Sequence, residues 1–267
     1  TPVIESRDSQ GVYGYASVSL SLGLAAPVRA VAALSASVTE ADLTREVTVD
    51  AKGEVDALKQ NVNQMIANLR QTTERNAEQD WLNSNLARFS GMMQGQRDLQ
   101  AVSRLIMSEL TPLVGAGYGA FFLAQFDDEE PALQLISSYG YETRKKVSTR
   151  YSLGESLVGQ AALERQSILI SEPPKDYVKV ASGLGEAAPR DIIVMPVLFE
   201  DQVMAVIELA AFQPFTEVQR GFLEQLGETI GIVINTIQST MRTEELLRQS
   251  QTLTRDPPDR PEERQSP

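Results

Sequence analysis

Two apolar repeats, stepped by three and four residues on either side of a strand-rich centre, constrain this chain more than any other feature. Val55, Leu58, Val62, Met65 and Leu69 fall on one seam of a helix, and such a seam needs a partner helix to cover it. Leu226, Ile230, Val233, Ile237 and Leu247 resume the pattern after the centre. A globular module held between two such seams can turn a change in its own shape into a change in helix packing, so the order of parts points to signal transmission.

Composition removes most competing chemistries. The 267 residues hold no cysteine and no histidine. Disulfides, thiolate metal sites, thioether-linked cofactors, imidazole bases and a phosphoaccepting histidine on this chain are therefore excluded. The reading is of a protein with no cofactor, no metal and no catalytic residues. Twenty-four basic against 36 acidic residues give a formal net charge of −12, which would repel a phosphate backbone and argues against a nucleic-acid partner. The best apolar run, Val18 to Ala26, is shorter than a membrane span and broken by serines and Gly23, so a cytoplasmic location is expected, with membrane association left to a longer protein. The chain begins at Thr1 without a signal-peptide pattern and reads as a fragment or as a chain whose natural start is missing.

Residues 1–26 carry no assignable pattern. Pro27 suits a first helical turn, and Val28, Val31, Leu34 and Val38 form a stripe behind it. The stretch from Asp42 to Gly53 reads as a connector anchored by Leu43 and Val47. A second helix starts at Glu54, whose carboxylate suits the positive end of the helix dipole, and has no stop before about Gly91. Along it the heptad passes through four polar layers, Thr72, Asn76, Gln79 and Asn83, before Leu86 and Met93 restore the seam. Such layers fix register at the expense of stability, so this stretch is either a place to store a packing change or a solvated linker.

Asp98 to Leu113 reads as an amphipathic helix, followed by strands at Tyr118–Phe126 and Ala132–Tyr139 around the acidic turn Asp127 to Glu130. A weaker strand is expected at Lys145–Tyr151, a helix at Gly154–Glu164, a short strand at Ser167–Ile170 and a loop with at most one helical turn at Pro173–Pro189. Ile192–Phe199 and Gln202–Phe212 form the clearest hairpin, and Thr216 caps a last helix from Glu217 to about Thr252. The proline-rich tail 255–267 cannot bury a core and is expected to be disordered.

Residues 28 to 70 resemble a HAMP domain, the parallel helix, connector, helix unit of bacterial signalling proteins. Leu43 and Val47 match its two connector anchors and Glu54 the glutamate that opens its second helix, while Ala41 and Asp56 stand where glycines are usual. Residues from about 97 to 240 resemble a GAF domain, with Tyr151 to Gly159 (YSLGESLVG) similar to that family's strand-to-helix junction and the hairpin similar to its paired central strands. The order HAMP, GAF and then Met241 to Gln251 is similar to multi-HAMP hybrid sensor histidine kinases of bacteria. The resemblance implies an α+β chain: a HAMP-like helix pair at 27–70, a signalling helix at 71–96, a GAF domain of six antiparallel strands flanked by helices at 97–240, and an output helix at 241–254. It further implies a homodimer with the seam Val55, Leu58, Val62, Met65, Leu69, Leu86, Met93, Ile230, Val233 and Ile237. Downstream kinase and response-regulator modules would then be its partners, and a stand-alone ligand-binding or scaffold protein is the alternative.

The same resemblance implies a small-molecule pocket between the sheet and the junction with its following loop. Its candidate walls are Tyr151, Leu157, Tyr177, Val180 and Leu184, with Phe121, Leu123, Met195 and Ile207 facing it from the sheet. For most of these a plain core role is the stronger reading. Tyr177 is the exception, in a loop where a buried phenol would want a partner. Glu208, between Ile207 and Leu209, is either a solvent-face residue or a buried carboxylate with a ligand role, and alternation favours solvent or a helix-facing ion pair. The acidic run from Asp127 to Glu130 and the basic run from Arg144 to Lys146 read as solvated edges rather than as sites.

Overall fold

The structure, a computed structural model, describes residues 53–126, 131–140, 148–174, 180–182 and 185–255. The expected first helix and connector of the HAMP-like unit, the acidic turn, the basic run, Tyr177, Leu184 and the tail lie outside the described residues. The chain divides into two compact units, one ending at Trp81 and the other beginning at Leu82.

Helix α1 spans Glu54–Met93, with Glu54 and Asp56 in its first turn. In its first unit Ile66 is buried, whereas the seam residues Leu58, Met65 and Leu69 are exposed. Every residue from 71 to 80 is exposed, so the polar layers Thr72, Asn76 and Gln79 are solvated. Thr72 and Thr73 donate their hydroxyls to the carbonyls of Asn68 and Leu69, back-bonds that satisfy polar side chains on an open helix face.

In the second unit the last turns of α1 join a helix-and-sheet domain. Helix α2, Leu99–Leu113, begins where Asp98 accepts hydrogen bonds from the backbone N–H groups of Gln100 and Ala101, and ends at Gly115 with φ +70°. A six-stranded antiparallel sheet follows in the order β3-β2-β1-β8-β7-β4. Its strands are β1 Ala116–Gln125, β2 Ala132–Tyr139, β3 Arg150–Ser152, β4 Ile168–Ser171, β7 Asp191–Phe199 and β8 Gln202–Ala211. Helix α3, Ser156–Glu164, connects β3 to β4. The expected loop at 173–189 instead contains a separate two-stranded ribbon, β5 Val180–Ser182 with β6 Gly185–Ala187, too short for period-two alternation to announce it. Helix α4, Glu217–Arg255, starts with a reciprocal capping box: Gln219 N–H donates to Thr216 Oγ1 and Thr216 N–H donates to Gln219 Oε1.

Strand parity assigns the two faces of the sheet. A side chain at Gly119 would meet Met107 and Thr111 of α2, and one at Gly227 of α4 would meet the Met195 methyl, so the odd-numbered residues of β1 from Gly119, of β7 up to Val197 and of β8 from Ala205 face α2 and α4, while past the β7–β8 register shift Leu198 and Val203 both lie on the other face. The even-numbered set Phe122, Ile192, Val194, Val206 and Ala210 packs with Val158, Ala161 and Ala162 of α3 on the other face. Central strands buried on both faces are largely apolar, and here, apart from Gln125, Asp191 and Gln202 at strand ends, Glu208 is the one acidic or amide side chain in β1, β7 and β8.

The stripe of α4 is a core face rather than a free seam. Leu226, Ile230 and Ile237 are buried within the chain, as is Met93 of α1, whereas Leu86 and Val233 are half-buried. Phe89 of α1 meets Phe222 of α4 edge-on at 5.9 Å, and Arg88 pairs with Glu109 of α2. A heptad stripe and the inner face of an amphipathic helix share the same spacing, which is why the sequence pattern did not separate Met93, Ile230 and Ile237 from the exposed seam.

Helix α4 offers a paired test of its packing. A Cβ at Gly231 would lie 2.1 Å from the Leu198 carbonyl oxygen, whereas one at Gly221 meets nothing within 4 Å. Gly231→Ala should lower stability by about 1–3 kcal/mol through forced overpacking. Gly221→Ala should raise it by about 0.5–1 kcal/mol through helix propensity. Urea unfolding of the two variants checks both signs.

Candidate functional site

The junction at residues 151–159 is built by backbone geometry that its sequence permits. Gly154 adopts φ +82°, and its N–H donates to the Gly159 carbonyl at 2.8 Å. Gly159 N–H donates to the Glu155 carbonyl, and Ser152 N–H to Glu155 Oε2 at 2.9 Å. A Cβ at Gly159 would sit 2.2 Å from the Ser152 carbonyl oxygen, so only glycine allows α3 to start this close to β3. That closeness lays Val158, Ala161 and Ala162 onto the sheet and leaves Leu157 half-buried beside them.

The pocket candidates divide between the two faces. Tyr151 and Leu157 lie on the α3 face, where the Tyr151 ring meets Phe122 edge-on at 5.7 Å. Phe121, Leu123, Met195 and Ile207 lie on the opposite face, toward α2 and α4, and they do not line the same side as Tyr151. Val180 is buried at the start of β1, where a Cβ on Gly117 would come within 3.2 Å of it. The α3 face carries Tyr118, Ala120, Phe122, Val194, Val206, Glu208 and Ala210 instead.

Glu208 is the chemically distinctive member of that face. Its cross-strand neighbours are Ala120 on β1 and Val194 on β7, and along β8 the same face shows Val206 and Ala210. Among the described residues none gives its carboxylate a hydrogen bond or an ion pair. The expected solvent position and helix-facing ion pair are thus replaced by a carboxylate set among apolar side chains. Burial pushes its pKa above the ordinary carboxylate range, because the charged form loses water and gains nothing from a described neighbour. Glu208 nevertheless keeps part of its surface accessible while lying deep among protein atoms. The residues beside it, Ala120 across the strands and Ala210 along its own, have small side chains.

Other polar groups of the domain are structural. Asp191 is buried at the start of β7 and accepts a hydrogen bond from the backbone N–H of Phe215 at 3.1 Å, fixing the turn into α4. Among the described residues no group of three or more Asp or Glu side chains is placed to hold a metal ion.

The raised pKa of Glu208 makes a signed prediction. A carboxyl whose folded pKa exceeds its unfolded value favours folding below the unfolded pKa, and that contribution is lost as pH rises through the folded pKa. Glu208→Gln, which removes the charge and keeps the shape, should therefore raise the melting temperature at neutral pH. The gain should shrink as pH falls into the ordinary carboxylate range, and melting curves across pH check it.

Comparison with known proteins agrees with this architecture. The HAMP domain family matches residues 20–71 and the GAF domain family matches residues 96–235. Among solved structures, the GAF domain of a phosphoenolpyruvate-protein phosphotransferase from Coxiella burnetii is 16% identical, with a TM-score of 0.50 over 60% of this chain and 96% of that one. The GAF domain of an Acinetobacter phosphoenolpyruvate-protein phosphotransferase is 17% identical, with a TM-score of 0.48 over 58% of this chain and 93% of that one. Free methionine-R-sulfoxide reductase from Neisseria meningitidis is 18% identical, with a TM-score of 0.47 over 58% of this chain and 89% of that one. With more than half of its length matched, from the cap of α2 through the sheet into α4, the chain belongs to the GAF domain family and carries a HAMP domain before it.

Proposed function

We propose that this chain is the sensory and relay part of a bacterial two-component signalling protein. In this reading a small molecule is received on the α3 face of the GAF sheet. The change passes through β1, β7 and β8 to α2 and α4, and the exposed end of α4 carries it to a kinase core encoded beyond the chain. The single observation that supports the reading most is the two-sided sheet, with α3 and the carboxyl of Glu208 among apolar side chains on one face and the two long helices on the other. GAF domains commonly bind small molecules and HAMP domains serve signalling, so the order of the two families fits a relay. The chain works in the cytoplasm and contributes no catalytic group of its own. Among the described residues no helix is long and apolar enough to cross a membrane.

The relay acts as a parallel homodimer. Leu58, Met65 and Leu69 are exposed large apolar side chains spaced by seven and four on α1, a stripe that a second copy would cover. Replacing Leu58 and Met65 with Asp should dissociate the dimer, because two charges would enter its core layers without partners. Sedimentation of the wild type and the variant at about ten to a hundred micromolar checks this, since dimer stability depends on protomer concentration. A wild type already monomeric there would remove the dimer and leave a stand-alone binding protein as the reading. Filling Thr72, Asn76 and Gln79 with Leu should freeze the helix in one packing and strengthen hydrogen-exchange protection across residues 70–85. Equal protection in both proteins would move the switch out of this segment.

A further inference from the structure

The α3 face holds a buried carboxyl, Glu208, that no described side chain pairs. Glu208 stands between Ala120 and Val194 across the strands and between Val206 and Ala210 along its own. The titratable groups described on this face besides Glu208 are Tyr118 and Tyr151, and neither is a cation at neutral pH. We propose that this site takes a small organic cation, an amine or amidine on an apolar body, with its nitrogen on the Glu208 carboxylate and its body against Tyr151, Phe122 and Leu157. The proposal rests on the reading of the α3 face as the ligand side and names the class of ligand.

The charge logic selects among ligand classes. An anion beside Glu208 would disfavour its ionised form still further, and a neutral body alone would leave the buried carboxyl without a charge partner, whereas a cation favours the ionised form that burial opposes. A metal ion would need several oxygen donors, and the neighbours of Glu208 are alanine and valine. A cationic nitrogen restores the lost solvation through a charge-assisted hydrogen bond, and the aromatic rings of Tyr151 and Phe122 suit the body that carries it. The small side chains of Ala120 and Ala210 leave the space beside the carboxylate that a bulkier pair would fill.

Calorimetric titration of the full chain with phenethylamine, benzamidine and agmatine, and with 2-phenylethanol and phenylacetate as neutral and anionic controls, tests the proposal. At least one of the three cations should bind, and Glu208→Gln should weaken that binding roughly tenfold or more, the scale of one lost charge-assisted contact. The same substitution should leave binding of 2-phenylethanol unchanged and should not lower the melting temperature at neutral pH. Failure of all three cations to bind at millimolar concentration would overturn the proposal, as would binding that Glu208→Gln does not weaken. A fall in melting temperature in Glu208→Gln at neutral pH would mean that the chain itself supplies the cation, Lys175 or Lys179 being the nearest in sequence to β5, and would equally overturn it. Preferred binding of phenylacetate would reject the cation while leaving a sensory role intact, whereas a monomeric wild type would reject the relay while leaving cation binding intact.

Discussion

The packing of one antiparallel sheet on both of its faces is the constraint on which the rest of the second unit depends. Strands β1, β8 and β7 are covered by α2 and α4 on one side and by α3 on the other, so each successive residue enters a different core. A change in side-chain packing on either face must be felt at the backbone they share, because close-packed interiors transmit strain rather than absorb it. This gives a sensory role its physical content. The α3 face and the face that holds the long helices are separated by one thickness of sheet.

The helices that leave this sheet are of two kinds along their own length. Met93, Phe89, Leu226, Ile230 and Ile237 are spent on the domain's own core, whereas Met241, Leu246 and Leu247 of α4 and Leu58, Met65 and Leu69 of α1 are exposed. Apolar side chains at helical spacing outside a core are the surface from which coiled-coil partners are built. Helix α4 is therefore anchored for its first turns and uncovered in its last, an arrangement suited to carrying a displacement outward. The change from buried to exposed along one continuous helix, rather than a hinge, separates the two roles.

Much of this was legible in the sequence where local chemistry is strong. The start of the helix at Asp98, the Thr216 cap, the hairpin β7 to β8 and the glycines of the β3 to α3 junction each leave a short-range signature, and each stands at or within a residue or two of its expected place. The facing of the central strands was not legible. Met195 and Ile207 are as apolar as Val194 and Val206, so parity on a doubly buried strand gives no contrast, and the expected wall residues Phe121, Leu123, Met195 and Ile207 lie on the face opposite Tyr151. The sequence signal that distinguishes the two faces is Glu208, an acidic residue inside a doubly buried strand. Pairing register, which brings Ala120 beside Glu208, exists only in the folded sheet.

Methionine methyl NMR tests, without knowledge of any ligand, whether the α3 face and the helix face are coupled through the sheet. Met195 faces α4 and Met107 lies on α2, on the side opposite Ala120. Ala120→Leu adds bulk on the α3 face beside Glu208 and stands in for occupancy there. The account predicts that the methyl resonances of Met195 and Met107 shift in Ala120→Leu, relative to the wild type, while that of the exposed Met241 near the end of the chain's core-packed segment follows them by a smaller amount. A substitution that moves resonances of α3 and leaves Met195 and Met107 unchanged would show that the two faces are independent, and would contradict the coupling.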